Sequence, residues 1–307
     1  MGTPPFAATS LARLLDSDHH VAAVVTRPDR PRGRGLALQS SDVKRLALEH
    51  SIEVLEPRSP KDRAFLERLC ELAPDLVVVV AYGRILPPAV LATPRLGCIN
   101  AHASLLPKLR GAAPIERAIL EGHDVTGVTI MRMDEGMDTG DMITSERVPI
   151  GRETDAGSLR ATLAGVAADL LVRAVDAIAA GHATYTPQDD AQATYAPPLD
   201  ASEAKIDWSW PARDVDLRVR AFTPRPGAFT FAQNARLKVL AGRALAEPAA
   251  ARPGTVIGTR GESLLIACGR GVYAADDVQP EGRRPMSGAA WARGSAGAIK
   301  HPLGADD

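Results

Sequence analysis

Short apolar runs alternate with segments of helical spacing over the first half of the chain. The runs that predict strands occupy residues 21–27, 52–57, 75–82, 97–102, 127–133 and 142–150. Apolar residues recur at three- and four-residue intervals, and so predict helices, at 43–50, 61–72, 112–121 and 156–180. Strands that alternate with helices indicate an α/β fold with a doubly wound, mostly parallel sheet, in which ligands bind at the carboxyl ends of the strands.

The start of the chain does not fit this scheme. Its opening, MGTPPFAATSLARLLDS, predicts a turn and then a helix, with no strand before them. A doubly wound unit begins with a strand that lies inside the sheet. We therefore expect the first domain, residues 1–181, to lack its first strand, either because the true start lies upstream or because the sequence is truncated.

The pattern changes near residue 181. Residues 182–204 are polar, aperiodic and rich in Pro and Ala, which predicts a linker. After the linker, residues 211–222 predict an amphipathic helix with Val215, Val219 and Phe222 on one face. Short apolar runs between Gly and Pro follow, and their spacing predicts a small β-barrel in a second domain, residues 205–301.

Composition narrows the class of protein. The chain has 307 residues, of which 45% are hydrophobic and 24% charged, as in globular proteins large enough for two cores. No apolar run reaches the ~18 residues of a membrane span and there is no signal-peptide pattern, so we expect a cytoplasmic protein without membrane contacts. The three cysteines lack a CxxC pair, which argues against a disulfide framework or a zinc site. With a net charge of −1, any contact with nucleic acid must come from local basic patches.

The strand at 97–102 ends in polar residues. Asn100 and His102 are two residues apart and therefore project from the same side, and Ser104 follows where the strand ends. A carboxamide beside an imidazole at the carboxyl end of a strand can stabilise an oxyanion. The alternative is a core histidine bonded to a backbone carbonyl, with Asn100 closing a turn. A lone histidine would favour that alternative, and the pair favours a site.

A second polar segment, MDEGMDTGDMI, overlaps the end of the strand at 127–133. It places Asp134, Glu135, Asp138 and Asp141 in a glycine-rich loop. Their spacing is not that of a calcium loop, so they form either a solvated acidic turn or the source of a carboxylate for His102. A negative charge beside an imidazole favours the imidazolium, which is a strong donor to a developing oxyanion.

Together these motifs resemble those of a known family. AYGRILP, GCINAHASLLPKLRGAAPIERAI and GVTIMRMDEGMDTGD resemble the core of the methionyl-tRNA formyltransferases, within the 10-formyltetrahydrofolate-dependent transformylases. SLLP, RGAAP and the pattern MDxGxDTGD carry most of the specificity. The likeness runs almost from end to end, from GTPPFA and VTRPDRPRGRG through KIDWS and RAFTPRPGA to VQPEGRRPMSG.

The resemblance implies a reaction and its residues. The expected enzyme transfers the formyl group of 10-formyltetrahydrofolate, its donor substrate, to the α-amino group of initiator methionyl-tRNA for translation initiation, without a metal. By motif position, the catalytic residues are Asn100, His102 and Asp138. The expected folate contacts are Ser104, Leu105, Leu106 and Pro107. The amide and the imidazolium would donate to the oxyanion, while the carboxylate would hold the imidazolium and assist removal of the amine proton.

The resemblance also implies where tRNA binds. A Pro/Gly-rich loop of the first domain carries Arg27, Arg30, Arg32 and Arg34. Such a basic run is more often a solvated loop, but the corresponding loop of this family inserts at the acceptor stem. The second domain resembles the family's OB-like β-barrel, in which Lys238 and Arg243 are the candidate contacts. We expect a monomer.

Other functions are also compatible with these residues. A sugar-nucleotide formyltransferase acting on a UDP-amino sugar shares the Asn/His/Asp core, but the RPRGRG loop and RGAAPI favour tRNA as the acceptor. A folate hydrolase would not need that loop. A non-catalytic RNA-binding protein on the same scaffold would not need the intact set Asn100, His102 and Asp138.

Overall fold

The computed structural model describes residues 1–32, 37–295 and 301–304. The chain forms two compact units. The first unit consists of Met1–Pro114, Val125–Pro149 and Arg160–Pro197, and the second of Ile115–Asp124, Ile150–Leu159 and Pro198–Asp307. The division into domains 1–181 and 205–301 with a linker at 182–204 stays a prediction.

Helices are interspersed with strands up to residue 196, and each helix or strand predicted for 21–180 has a counterpart, often shorter. The helices are α1 (Pro5–Leu15), α2 (Asp42–Glu49), α3 (Arg63–Leu72), α4 (Pro88–Leu91), α5 (Pro114–Leu120) and α6 (Ala156–Ala179). The strands are β1 (Ala23–Val25), β2 (Arg30–Arg32), β3 (Ala37–Gln39), β4 (Glu53–Leu55), β5 (Val77–Val79), β6 (Cys98–His102), β7 (Arg110–Gly111), β8 (Val125–Arg132), β9 (Met142–Pro149) and β10 (Tyr195–Ala196). The sequence did not predict α4, β7, β10 or the hairpin of β2 and β3.

The central sheet of the first unit has the order β5-β6-β8-β9, and β1 pairs with β4 beside it. The pairs β1–β4 and β5–β6 are parallel, whereas β8 is antiparallel to β6 and to β9. Strand β5 consists only of valine, as expected for a parallel strand that is covered on both faces. Val77 and Val79 pack in one core with Phe65, Leu69 and Tyr82. The first unit is therefore a Rossmann-like α/β fold.

An opening separates β1 from β5. A cavity of about 450 Å³ lies there, lined by both strands and by residues of α1 and α6. Met1 and Gly2 bridge the two strands at one end, because the Gly2 amide donates to the Val25 carbonyl and the Val80 amide donates to the Met1 carbonyl, each at 2.9 Å. The α-ammonium of Met1 donates to the Val78 carbonyl at 2.6 Å, and burial lowers its pKa to about 6.

The second unit is built on an antiparallel sheet. Its later elements are α7 (Ala212–Phe222), β11 (Ala228–Ala232), β12 (Ala235–Leu245), β13 (Val256–Arg260), β14 (Ser263–Ala267), β15 (Val272–Pro280), β16 (Met286–Ser287) and α8 (Gly288–Gly294). The strand order is β11-β12-β15-β14-β13, and β16 pairs with β15. Among the described residues, no ladder of hydrogen bonds joins the two edge strands, β11 and β13. Val215, Val219 and Phe222 of α7 are buried, which confirms the predicted apolar face. None of the helices in the described ranges combines the length and apolarity needed to cross a membrane.

Candidate active site

Strand β6 presents the amide and the imidazole on one face. Asn100 lies opposite Met131 of β8, and His102 lies opposite Thr129. Because side chains alternate along a strand, Ala101 between them points to the other face. The central position of β6, between β5 and β8, fixes both residues in the sheet.

The imidazole of His102 makes one hydrogen bond through Nε2 and one longer ionic contact through Nδ1, which leaves the Nδ1 proton free for a ligand. Nε2 lies 2.9 Å from the carbonyl oxygen of Leu109, and Nδ1 lies 3.6 Å from Oδ2 of Asp138. Because a carbonyl oxygen only accepts, Nε2 carries a proton and donates it to that bond. A neutral ring would then turn the lone pair of Nδ1 toward a carboxylate, whereas an imidazolium suits both partners. The bond to a backbone carbonyl that the core-histidine alternative predicts is therefore present at Nε2, while Nδ1 faces Asp138.

Asp138 reaches the imidazole from the loop between β8 and β9. Its backbone is left-handed, with φ at 56°, which is uncommon for a residue other than glycine. Its Oδ2 accepts from the amide of Gly111 at 2.8 Å, and its side chain is 17% exposed. The structure thus brings together the three residues that the sequence proposes as catalytic, Asn100 and His102 from one strand and Asp138 from another loop.

The amide of Asn100 is available for a ligand. The residue is half-buried, and its side chain has no hydrogen-bond partner within the described part of the chain. An amide that is neither fully buried nor bonded keeps two donors and an acceptor for a bound molecule. The alternative in which Asn100 closes a turn is not what the structure contains, because Asn100 lies within β6.

The other carboxylates of the acidic loop do not reach the imidazole through a described contact. Asp134 accepts from the Gly136 amide at 2.9 Å and from the Thr139 hydroxyl at 2.8 Å, and so it stabilises the loop itself. Glu135 is exposed. The loop also approaches β8 closely, since a Cβ on Gly140 would lie 1.8 Å from the Arg132 carbonyl. Of the four carboxylates, Asp138 is the one with a described contact to the imidazole.

The Ser-Leu-Leu-Pro segment after β6 is held by its own polar groups. The Ser104 hydroxyl donates to the Lys108 carbonyl at 2.6 Å, and Ser104 is fully buried. Thr129 of β8 accepts from the Leu106 amide at 3.1 Å and donates to the Ser104 carbonyl at 2.8 Å. Leu106 is buried, whereas Leu105 and Pro107 are half-buried. The hydroxyl of Ser104 therefore stabilises the loop itself.

The basic residues predicted to bind tRNA in the first unit are only partly described. Arg27 donates through Nε to the Tyr82 carbonyl at 3.1 Å and through Nη2 to the Gly83 carbonyl, so it ties the end of β1 to the segment after β5. Arg30 and Arg32 lie in the hairpin of β2 with β3. Arg34 lies outside the described residues.

The basic residues predicted in the second unit have partners of two kinds. Lys238 donates to the Pro226 carbonyl at 2.7 Å, and among the residues that the structure describes no carboxylate pairs with its charge. Arg243 places Nη1 2.9 Å from both oxygens of Asp276. A phosphate at Arg243 would therefore have to compete with a carboxylate, whereas one at Lys238 would not.

The sequence did not identify Arg110 and Gln188, which lie next to the acidic loop. Arg110 is 2% exposed and donates to Gln188, and the Gln188 amide group donates to two carbonyls of the loop. Gln188 falls in the segment predicted to be a linker. No spacing rule pairs it with a loop some 50 residues earlier in the chain.

Sequence profiles of two families match the chain. The profile described as formyl transferase matches residues 1–175, and the profile described as formyl transferase, C-terminal domain, matches residues 198–296. Together they cover both units. Among the residues that the structure describes, no three His, Cys, Asp or Glu side chains group as ligands for a metal ion.

Curated relatives and solved structures agree with the profiles. The chain is 49% identical to methionyl-tRNA formyltransferase of Pseudomonas fluorescens, over 93% of this chain and 90% of that one. It is 45% identical to the Moorella thermoacetica protein of the same name, over 96% and 94%. The crystal structure of WlaRD, a sugar 3N-formyl transferase in the presence of dTDP and 5-N-formyl-THF, superposes with a TM-score of 0.68 at 19% identity, over 92% of this chain and 97% of that one. The crystal structure of HypX from Aquifex aeolicus, in complex with tetrahydrofolic acid, superposes with a TM-score of 0.61 at 20% identity, over 83% of this chain and 44% of that one. The structural likenesses show a shared fold, and with the two profiles and the close relatives they establish that this chain belongs to the formyl transferase family.

Proposed function

We propose that the protein transfers the formyl group of 10-formyltetrahydrofolate to the α-amino group of initiator methionyl-tRNA. The observation that carries this proposal is the 3.6 Å approach of His102 Nδ1 to Asp138 Oδ2 beside the free amide of Asn100. Relatives named methionyl-tRNA formyltransferase, 45–49% identical over nearly the whole chain, support methionyl-tRNA as the acceptor. Related structures with tetrahydrofolate or formyl-THF support a folate as the donor.

The three residues fit the charge changes of this reaction. The neutral amine, available near neutral pH because α-amino groups titrate at about 7.7–8.0, attacks the formyl carbon and forms a C–N bond. The formyl oxygen becomes an oxyanion, to which the Asn100 amide and His102 Nδ1–H donate. Asp138 stabilises the imidazolium and accepts the amine proton. The bond from the formyl carbon to N10 then breaks, and N10 takes up a proton. The products are formylmethionyl-tRNA and tetrahydrofolate.

The folate would lie against the segment after β6. Leu105 and Pro107 are half-buried and can offer apolar contact, whereas Ser104 and Leu106 support the segment from within. We therefore assign to Ser104 and Leu106 the positioning of the loop, and to Leu105, Pro107 and the loop backbone the contact with the folate.

The tRNA would contact basic groups of both units. The loop with Arg27, Arg30, Arg32 and Arg34 is proposed to meet the acceptor end, and Lys238 is the better candidate in the second unit because its charge is not paired with a carboxylate. Each phosphate contact should add to the salt dependence of binding. We further propose that the protein acts as a monomer in the cytoplasm, where translation takes place, with a catalytic domain at 1–181 and a tRNA-binding domain at 205–301.

A sugar amine is the second candidate acceptor. The observation that favours it is the fold, because WlaRD shares it over 97% of its own length. The identity is only 19%, compared with 45–49% for the methionyl-tRNA enzymes. Sequence likeness therefore favours the tRNA.

The test is an acceptor comparison. Purified protein is incubated with 10-formyltetrahydrofolate and either methionyl-tRNA or a UDP-amino sugar, and formylated product is measured by mass spectrometry. An Asn100→Ala preparation, purified in the same way, reveals any formyltransferase carried over from the host. We expect product on methionyl-tRNA with the wild type and far less with the variant. Transfer to the sugar alone would overturn the assignment, and no transfer to either would favour a binding protein.

A further inference from the structure

Gln188 holds the backbone of the acidic loop. Its Nε2 donates to the carbonyl of Asp138 at 2.9 Å and to the carbonyl of Gly140 at 2.7 Å. The two carbonyls belong to the residues before and after Thr139, so Gln188 restrains the loop on both sides of Thr139. They also fix the peptide of a residue whose φ of 56° is unfavourable outside glycine.

A buried arginine holds Gln188 in turn. The Oε1 of Gln188 accepts from Nε of Arg110 at 3.0 Å and from Nη2 at 2.9 Å. Nη2 also donates to Asp190 at 2.8 Å. The amide therefore uses two donors and accepts two bonds, so all of its capacity is used. This also fixes its orientation, because a flipped amide would set its NH₂ against the guanidinium and its oxygen against two carbonyls.

A second contact, from the residue after Arg110, holds the carboxylate of Asp138. Gly111, which follows Arg110, donates its amide to Asp138 Oδ2 at 2.8 Å. Strand β7, which contains both residues, is paired in parallel with β10 a few residues after Gln188. Gln188 thus bonds the carbonyl of Asp138, and Gly111 bonds its carboxylate. Gly111 lies in β7 and Gln188 shortly before β10, so the pairing of these two strands supports both contacts.

We propose that Gln188 is a positioning residue for formyl transfer, which it serves by holding Asp138 against Nδ1 of His102. This proposal rests on the proposed function. Gln188 contacts the backbone of Asp138 and not its reacting oxygen, so it acts through Asp138. A shift of the carboxylate by about 1 Å is enough to lower a rate by about a hundredfold, because productive geometry tolerates little displacement.

Two substitutions separate positioning from folding. Gln188→Ala removes all four bonds. Gln188→Glu keeps an acceptor for Arg110 but replaces the donor to the Asp138 and Gly140 carbonyls by an oxygen. The matched control is Gln192→Ala, in the same segment, because the side chain of the exposed Gln192 donates, within the described ranges, only to Asp189, at 2.8 Å. Thermal unfolding of each variant reports any loss of stability.

The expected kinetic result is a fall in kcat of about ten- to a hundredfold for both Gln188 variants, with the KM for methionyl-tRNA changed less than threefold. Gln192→Ala should match the wild type. The decisive comparison repeats Gln188→Ala in an Asp138→Asn background. If Gln188 acts through Asp138, the second substitution costs little there. An equal loss in both backgrounds would overturn the proposal.

A readout independent of activity keeps the two proposals apart. In protein labelled with ¹⁵N-histidine, the Nδ1 resonance of His102 is assigned by its absence in His102→Ala. It should move in Gln188→Ala and in Gln188→Glu, and stay in place in Gln192→Ala. If the wild type fails to formylate methionyl-tRNA, the proposed function is wrong, and this resonance alone decides the positioning. An unchanged resonance in both Gln188 variants would contradict it.

Discussion

Replacing Asp138 by Asn removes one charge and little else. The amide has nearly the shape of the carboxylate, and its oxygen can still accept from the Gly111 amide, now 2.8 Å from Oδ2. The loop should therefore keep its place. What is lost is the negative charge 3.6 Å from His102 Nδ1, together with the acceptor for the amine proton.

The size of the loss follows from that distance. Two unit charges at 3.6 Å attract by about 5 kcal/mol at an effective dielectric constant near 20 and by about 1 kcal/mol in water. The side chain of Asp138 is 17% exposed, which places the pair between these limits. A loss of about 2.7 kcal/mol in the transition state corresponds to a hundredfold fall in kcat. We expect Asp138→Asn to lose about that much or more.

Initial rates of methionyl-tRNA formylation, measured with saturating 10-formyltetrahydrofolate, give kcat and KM for the variant. Glu135→Gln is the matched control, because it removes the same charge from an exposed position three residues earlier. The control should keep the wild-type kcat, and both variants should unfold at the wild-type temperature within a few degrees. A kcat for Asp138→Asn within threefold of the wild type would refute the reasoning.

Three further predictions concern stability and reactivity. In a preparation whose chain begins at Met1, the free energy of unfolding should rise by about 2 kcal/mol from pH 6 to pH 8. The folded-state pKa of about 6 lies below the usual 8.0, so the unfolded state binds more protons in this range. Urea titrations measure the rise, and a rise that survives N-terminal acetylation would contradict it. Iodoacetamide at pH 8 should label the exposed Cys70 at least about a hundred times faster than Cys98 and Cys268, because burial raises the pKa of both thiols to about 11. Peptide mass spectrometry measures the labelling of each cysteine, and comparable rates would contradict the prediction. Gly127→Ala should lower the unfolding temperature, because its Cβ would lie 2.1 Å from the Glu146 carbonyl oxygen. Gly165→Ala in α6, whose Cβ would meet nothing within 4 Å, should raise the free energy of unfolding by up to about 1 kcal/mol. Calorimetry that finds Gly127→Ala the more stable variant would disprove this.

The sequence predicted those parts of the site that depend on local pattern. Asn100 and His102 are recognisable because period-two spacing puts both on one face of a strand, and Asp138 because it follows the strand that pairs with it. The resemblance then selected Asp138 from the four carboxylates of its loop. In the structure Asp138 has a left-handed backbone, and its carboxylate lies 3.6 Å from the imidazole.

The supporting bonds were not predictable in the same way. Arg110 and Gln188 are 78 residues apart, and the segment around Gln188 has no period because its order comes from hydrogen bonds to another part of the chain. The β11–β12 hairpin lacks a standard turn signal in the sequence. Its turn has Gln233 and Asn234, both with positive φ, in place of the Asn-Gly pair that signals such a turn.

The central claim is that Nδ1 of His102 donates to the oxyanion formed in formyl transfer. The most direct test is the single-turnover rate of methionyl-tRNA formylation by His102→Ala, with circular dichroism and tRNA binding measured on the same preparation. The account predicts a rate lower by about a hundred- to a thousandfold, as for loss of an oxyanion donor, with tRNA affinity retained. A folded variant that formylates at the wild-type rate would contradict it.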